Sequence, residues 1–355
     1  MAGLSRRGRE RLHRVLAGYI ERKDLPGLVA LVAHGEDVQI EALGTLAFDD
    51  PTPMARDTSF RVASITKLVT AVAAMILVEG CRLRLDDSIE PWLPDTHPIQ
   101  KLIREYRIGG DGPPLPAHAP GTEEWLRKLG SLPWMAQPGE RWMYHVSGDV
   151  LGVLIARVSG QSLGTFMRQR IFDPLGMKDT AFHVPAEKVK RLPVCYSFNY
   201  QTNTLDVFDD VADSAWRHEP PFESGAGGLV STIDDYFAFS RMMLNNGRHG
   251  REQILSRATV QLMTSDHLTP GQRAGSEIFF GASSSWGFGM AVDIQRNEIF
   301  RTPGRFGWDG GTGTSAYTDP VEGVIGILFT QRMMDSPEPP KVFTDFWTLA
   351  YGAME

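Results

Sequence analysis

Strand-like patterns lie near both ends of this 355-residue chain, and helical patterns lie between them. An amphipathic helical pattern from Leu12 to Ile20 precedes a buried strand pattern at 27–34 and an alternating partner at 38–43. Strand patterns return late in the chain, at 286–294, 298–302, 315–318 and 324–330, before a helical segment at 342–353. Because strands from both ends have to complete one sheet, the sequence predicts a discontinuous α/β domain.

The middle of the chain predicts a helical insert. Helical patterns at 149–158, 163–172 and 234–245 are separated by loops rich in proline and glycine, including 109–116. We therefore predict that residues 1–85 and 267–355 form the α/β domain, and that residues 86–266 form an all-helical inserted domain.

Charge and composition disfavour several classes of protein. The 36 Lys and Arg residues against 43 Asp and Glu give a net charge of −7 without a long basic run, which argues against a nucleic-acid partner. The two cysteines, Cys81 and Cys195, are too few for a disulfide framework or, alone, for a zinc site. With no run of 18 apolar residues and no apolar signal segment, we expect a cytoplasmic protein that makes no membrane contact.

Ser64 and Lys67 are candidate catalytic residues. They lie three positions apart at the start of an apolar helical pattern that runs to Gly80, so the hydroxyl and the amine share one face of the helix. Apolar surroundings desolvate Lys67, lower its pKa and let it accept a proton from Ser64. The alternative is structural, with Ser64 as a helix cap and Lys67 extending to solvent.

Ser162 competes as a nucleophile, because Gly160 to Gly164 form a G-x-S-x-G motif. The chemistry of that motif needs a buried strand before the serine, whereas residues 149–158 have helical spacing. We therefore interpret Ser162 as the N-cap of the helix that follows, and Gly160 as the end of the helix before it.

Tyr144 is a third candidate, placed after a Pro138-Gly139 turn and just before a helical pattern. A phenol near the Lys67 ammonium is expected to have a lowered pKa and to exchange protons with Ser64. The alternative is a buried tyrosine whose hydroxyl has a structural partner.

A glycine-rich segment lies near the C-terminus. Four of the seven residues 307–313 are glycine, and they flank the exposed-looking pair Trp308 and Asp309. Such a segment indicates a backbone that approaches another group closely, with a bulged edge strand as the alternative.

These motifs occur in an order that resembles the serine β-lactamase-like superfamily: Ser64-x-x-Lys67, then Tyr144 after Pro138-Gly139, then Trp308-x-Gly310. Over residues 10 to 350 the chain looks most like the class C β-lactamase-related esterases, the family VIII carboxylesterases. The resemblance implies a β-lactamase-like sandwich, in which helices flank a mainly antiparallel sheet. It also implies a covalent acyl-enzyme, a small-molecule ester substrate, and no metal or organic cofactor.

The resemblance further implies roles for single residues. Ser64 would be the acylated nucleophile and Lys67 its general base, while Tyr144 would relay the proton to the leaving group and later activate water. The backbone N–H groups of Ser64 and Gly311 would form the oxyanion hole. The substrate pocket would include the triplet Trp308, Asp309 and Gly310.

Two departures from class C β-lactamases bear on the substrate. Where those enzymes carry Tyr-x-Asn and Lys-Thr-Gly, this chain has Tyr144-His145-Val146 and Trp308-Asp309-Gly310. The missing amide and cation are lost partners for a lactam side chain and for a carboxylate, and a charged hydrogen bond is worth about 1.5–3 kcal/mol. An apolar Trp308 instead favours uncharged esters.

Several alternatives stay open at this point. They are acyl transfer to an alcohol or an amine, weak hydrolysis of β-lactams or D-amino peptides, and a non-catalytic ligand-binding module. Aromatic residues of the insert could line an acyl or alcohol pocket, with packing as the alternative for most of them: Trp125, Trp134, Trp142, Trp216, Phe198, Tyr200 and Phe222.

Overall fold

The computed structural model describes residues 3–93, 119–133, 136–137 and 139–355. The strands are β1 (Gly27–His34), β2 (Asp37–Gly44), β3 (Phe60–Arg61), β4 (Cys195–Asn199), β5 (Thr204–Asp209), β6 (Val230–Ser231), β7 (Arg248–His249), β8 (Glu252–Gln253), β9 (Ser284–Trp286), β10 (Ala291–Asp293), β11 (Phe306–Gly310), β12 (Thr314–Asp319) and β13 (Val324–Thr330). The α-helices are α1 (Arg6–Glu21), α2 (Thr66–Glu79), α3 (Thr122–Gly130), α4 (Ser147–Ser159), α5 (Leu163–Met167), α6 (Asp173–Leu175), α7 (Ile233–Leu244), α8 (Arg257–Met263), α9 (Pro270–Arg273), α10 (Glu277–Phe280) and α11 (Lys341–Tyr351).

One antiparallel sheet organises the described residues, in the strand order β2-β1-β13-β12-β11-β10-β9. The N-terminal hairpin joins the C-terminal strands through β1 and β13, whose register runs from Leu28 opposite Thr330 to His34 opposite Val324. The predicted α/β fold with a mainly antiparallel sheet is therefore confirmed, and β1 and β13 occupy the predicted residues.

Helices cover both faces of this sheet. Because side chains alternate along a strand, Leu28 and Ala30 of β1 join a core with α1 and α11, whereas Val29 and Leu31 join the larger core with α2 and α7. All eight residues of β1 are buried. Burial on both faces explains the uninterrupted apolar sequence of this strand.

The segment 86–266 is mainly helical where it is described, but it is not all-helical. It also contains the short strands β4 to β8. Of these, β6 pairs with β3, the strand that precedes α2 in the chain. Three of these strands, β6 to β8, have only two residues each and are too short to show a period of two in the sequence. Helix α7 packs on the main sheet against β13, β12 and β1. The division into two domains stays a prediction, and the loop 109–116 lies outside the described residues.

The glycine-rich segment is the main correction to the predicted strands. Residues 298–302 do not form a strand; instead Phe306–Gly310 form β11, in the interior of the sheet between β10 and β12. A Cβ atom on Gly307 would lie 2.2 Å from the carbonyl oxygen of Ala316 on β12. Glycine is required there by close backbone approach, and a strand rich in glycine lacks the pattern by which strands are predicted.

The serine of the G-x-S-x-G motif has the predicted cap role. Gly160 ends α4 in the left-handed conformation, with φ 71°, and the Ser162 hydroxyl accepts the Thr165 N–H at the start of α5. A π-helical turn at Arg168–Phe172 continues α5.

Within the described ranges no single helix has the length and apolar content to cross a membrane, although Ser147–Ser159 and Leu163–Leu175, bent by 76°, meet these criteria as a pair.

Gly326 on β13 supplies a test of how closely α11 packs on the sheet. A Cβ atom there would lie 2.4 Å from the Trp347 ring, which is buried and held by a hydrogen bond from its Nε1 to Ser315. Gly326→Ala is therefore expected to lower the free energy of unfolding by about 1–3 kcal/mol, measured by urea denaturation. The control is Gly271→Ala on α9, where an added Cβ meets no described atom within 4 Å, and the expected change is within about 0.5 kcal/mol. Equal stability of the two variants would contradict the packing argument.

Candidate active site

A strained turn places Ser64 at the start of α2. A single 3₁₀ turn, Ala63–Ile65, links β3 to the helix, and Ala63 has a positive φ of 44°. The turn is held from the sheet, because the Val62 carbonyl accepts from Thr314 Oγ1 at 3.0 Å. Ser64 thus lies at the N-terminal end of α2, as the sequence predicts. Backbone N–H groups and the positive end of the helix dipole can stabilise negative charge at such a position.

Lys67 lies beside Ser64 and is buried, with 5% of its surface exposed. Its Nζ atom lies 3.3 Å from Ser64 Oγ and 2.7 Å from the carbonyl oxygen of Ala226. Burial lowers the pKa of Lys67 to about 7, while the charge of Asp149 acts in the opposite direction. The predicted desolvated lysine is confirmed, and close to neutral pH a large part of it is the uncharged amine.

Tyr144 completes the cluster that the sequence predicts. The Lys67 Nζ atom lies 4.5 Å from the centre of the Tyr144 ring, and the Trp308 indole N–H donates to the phenol oxygen. Burial raises the pKa of Tyr144 to about 12, although hydrogen bonds with Ser64 and Trp308 act to lower it. The predicted lowering of this pKa is therefore wrong in direction, and Tyr144 is a neutral phenol at working pH.

Asp149 is a residue that sequence reasoning missed. It lies in the first turn of α4, where Oδ1 accepts from Ser224 Oγ at 2.6 Å and from the Ala226 N–H at 3.1 Å. These bonds fix the loop whose Ala226 carbonyl accepts from Lys67. One feature of the sequence could have pointed to Asp149: it is an acidic residue in the first turn of the helical pattern that follows Tyr144.

His145 was also missed, and it lies within hydrogen-bonding distance of the amine. Its Nδ1 atom is 3.2 Å from Lys67 Nζ, and its backbone has a positive φ of 103°. Burial, together with the charge of Lys67, holds the pKa of His145 well below its ordinary value of 6.5. The sequence shows no periodic or motif signal for this contact.

The described residues contain no cluster of three His, Cys, Asp or Glu side chains that could hold a metal ion.

Gly311, the second predicted donor of the oxyanion hole, lies at the end of a strand that contacts the Ser64 turn. It follows β11, whose last residue, Gly310, lies so close to the Ser64 turn that a Cβ atom would be 2.5 Å from the Val62 carbonyl oxygen. A Cβ atom on Gly311 itself would meet no described atom within 4 Å, so its backbone borders open space. The use of the Gly311 and Ser64 N–H groups by an oxyanion stays a prediction.

The Trp308-Asp309 pair divides between the two faces of the sheet. Trp308 is buried and contacts Tyr144, whereas Asp309 lies near Tyr317, whose hydroxyl is 3.4 Å from Oδ2. The opposite direction follows from strand alternation. The pair is thus not exposed, and Asp309 is not placed with Trp308 beside Tyr144. Burial raises the pKa of Asp309 to about 6.

A cluster of aromatic side chains surrounds Tyr144. Ring centres lie 5.5 Å from Trp142, 5.0 Å from Phe279 and 5.6 Å from Trp308. We call Tyr144, these three residues and Trp286, which lies 4.8 Å from Trp308, the aromatic wall. Of the aromatic candidates in the insert, Trp142 is in this wall, Trp125, Trp216 and Phe222 are buried in cores, and Trp134 lies outside the described residues.

The fold and this cluster define a serine hydrolase of the β-lactamase and penicillin-binding protein superfamily. Three side chains converge beside a glycine-rich strand. They are a serine at the start of a helix, a buried lysine one turn later, and a tyrosine that precedes a second helix. The chain belongs to the Beta-lactamase family, whose family model matches residues 12–344.

Known proteins show the same relationship. Esterase EstB of Burkholderia gladioli is 28% identical over 93% of this chain and 92% of its own. The lovastatin esterase of Penicillium rubens is 30% identical over 85% of this chain and 87% of its own. The structure of EstCE1, described as a hydrolase with promiscuous acyltransferase activity, has a TM-score of 0.83, 24% identity, and coverage of 98% of this chain and 99% of its own. This last likeness shows the fold.

The lowered pKa of Lys67 generates a pH prediction. If Ser64 reacts only while Lys67 is uncharged, its rate of labelling by a fluorophosphonate should rise with pH through about 7. In Asp149→Asn the inflection should move to lower pH by about one unit, because a charge that favours the ammonium form is lost while an amide oxygen still accepts hydrogen bonds.

Intact-mass spectrometry against time at each pH measures this rate. The matched control is Asp49→Asn, which removes the same charge from an exposed position and should leave the inflection unchanged. An inflection in Asp149→Asn that stays in place, or moves to higher pH, would contradict the assigned effect of Asp149 on Lys67.

Proposed function

We propose that this protein is a serine carboxylesterase that cleaves small carboxylic esters through a covalent acyl-enzyme on Ser64. The observation that carries the proposal is the convergence of Ser64, Lys67 and Tyr144, with Trp308 in contact with the tyrosine. Two relatives that align over most of this chain are named as esterases, which supports the reaction class.

In the acylation step, Ser64 Oγ forms a bond to the ester carbonyl carbon and its proton moves to the neutral Lys67 amine. The negative charge that develops on the carbonyl oxygen is met by the N–H groups of Ser64 and Gly311. The carbon–oxygen bond to the alcohol then breaks. Tyr144, a neutral phenol, gives its proton to the departing oxygen and takes back the proton held by Lys67.

In the deacylation step, water attacks the acyl carbon on Ser64. The water proton passes to the Tyr144–Lys67 pair, and the bond between the acyl carbon and Ser64 Oγ breaks. Ser64 Oγ recovers a proton from the same pair, and the carboxylic acid leaves. The two groups thus end each cycle in the neutral forms in which they began it.

The aromatic wall supports an uncharged substrate. Trp142, Phe279 and Trp286 are partly exposed around Tyr144, so they present apolar surface beside the reacting atoms. A carboxylate on the substrate would have to lose its hydration against this surface. We therefore propose neutral esters with an apolar acyl or alcohol group as the substrate class.

Exchange of the two candidate serines tests the nucleophile. Ser64→Ala should lower hydrolysis of p-nitrophenyl butyrate by more than about 1,000-fold, and the acyl mass adduct of the wild type should disappear. Ser162→Ala should keep its activity while losing about 0.5–2 kcal/mol of stability, because only a helix cap is removed. Full activity in Ser64→Ala, or loss of activity only in Ser162→Ala, would refute the assignment.

Two acyl chains of equal length test the substrate class. p-Nitrophenyl butyrate and the p-nitrophenyl monoester of succinic acid differ by a terminal carboxylate. The neutral ester should have a kcat/KM at least about tenfold higher, since the anion loses hydration and Trp308 supplies no cation in return. Steady-state release of p-nitrophenol, corrected for spontaneous hydrolysis, gives the ratio. Equal values for the two esters would contradict the proposed preference.

A further inference from the structure

The amine of Lys67 has three possible hydrogen-bond partners, and His145 is an acceptor only if its Nδ1 carries no proton. Ser64 Oγ lies 3.3 Å from Nζ, the Ala226 carbonyl oxygen 2.7 Å and His145 Nδ1 3.2 Å. An ammonium group has three N–H donors, so these acceptors can satisfy all of them. A neutral amine has two N–H donors and one lone pair, and it acts as a base only in the direction of that lone pair.

We propose that His145 is a positioning residue for the general base, an inference that rests on the proposed function. His145 Nδ1 and the Ala226 carbonyl oxygen take the two hydrogens of the neutral amine, and the lone pair of Nζ is then directed at Ser64 Oγ. When Ser64 attacks, its proton moves to that lone pair while Oγ forms the bond to the acyl carbon. His145 neither gains nor loses a proton in this step.

The surroundings keep His145 in the form that this role needs. The low pKa of the partly buried imidazole leaves it uncharged, so Nδ1 can be an acceptor with the proton on Nε2. The opposite tautomer would set N–H against N–H of the ammonium form, and it would donate to the lone pair of the neutral amine that Ser64 needs. Among the residues that the structure describes, the other ionisable groups that face the pair are Asp149 on α4 and Tyr144, and burial raises the pKa of each of them.

The backbone shows that the position of this side chain is maintained against strain. At φ 103°, His145 has a conformation that side chains rarely adopt and that glycine would relieve. Val146, the next residue, stands where class C β-lactamases carry the Asn of Tyr-x-Asn. At the level of sequence this difference is a lost amide. In the structure the adjacent His145 places Nδ1 3.2 Å from Lys67 Nζ.

Two variants separate the acceptor from the backbone. His145→Asn places an amide oxygen near the position of Nδ1, and asparagine tolerates positive φ. His145→Gly relieves the backbone and removes the acceptor. For both, the rate of Ser64 labelling by a fluorophosphonate is measured across the neutral pH range, and urea denaturation gives the stability of the same preparations.

His145→Gly should be at least as stable as the wild type, yet its limiting labelling rate at high pH should fall by about tenfold or more. The inflection should also move to lower pH, because the ammonium loses one of its three acceptors. His145→Asn should keep most of the rate and the inflection. If His145 had only a structural role, the inflection would stay at the same pH. The labelling rate of His145→Asn would then not exceed that of His145→Gly.

Wild-type labelling rates and inflection in His145→Gly would overturn the proposal, as would equal losses in both variants without a pH shift. The esterase proposal fails separately. If the wild type is labelled at Ser64 but hydrolyses neither p-nitrophenyl ester, the esterase function is contradicted, while the labelling comparison still decides the role of His145.

Discussion

The amine of Lys67 is buried, and the arrangement of the site follows from that burial. Every residue of α2 from Thr66 to Leu77 is buried, so the helix cannot turn the lysine to solvent. An unpaired charge there would cost several kcal/mol. Three segments therefore place polar atoms around Lys67 Nζ: the turn before α2, the residues just before α4, and the loop at Ala226. Because these segments are distant in sequence, the base is formed only when α2 and α4 pack together.

Backbone strain accompanies the same convergence. Ala63 and His145, each next to a catalytic candidate, have positive φ values, and such residues cost about 1–3 kcal/mol each. On the Ser64 side the strain is offset by bonds from the sheet, since Thr314 donates to the Val62 carbonyl. That bond requires the end of β11 to lie against the turn, which is why Gly310 can carry no side chain. The glycine-rich strand and the strained turn are thus two parts of one contact.

Local patterns explain which features the sequence could predict. The apolar run of β1 and the spacing of Ser64 and Lys67 depend on neighbours a few residues away, and the structure has both as predicted. The face of the sheet on which Asp309 lies depends on the position of β11. The glycines of that strand remove the alternating pattern from which it could have been predicted. His145 depends on a backbone conformation that no pattern encodes. The sign of the Tyr144 pKa shift depends on a balance in which burial outweighs hydrogen bonding.

Burial assigns the acid and the base in this site without a nearby charge having to do so. Lys67 and Tyr144 have ordinary pKa values of 10.5 and 10.0, too similar to separate their roles. Loss of water disfavours the charged form of each, so the lysine pKa falls to about 7 and the tyrosine pKa rises to about 12. Both groups are then neutral just above pH 7: the amine can accept a proton, and the phenol can donate one. Environments that drive two pKa values apart mark the acid and the base of a catalytic pair, and here one desolvated pocket does so for both.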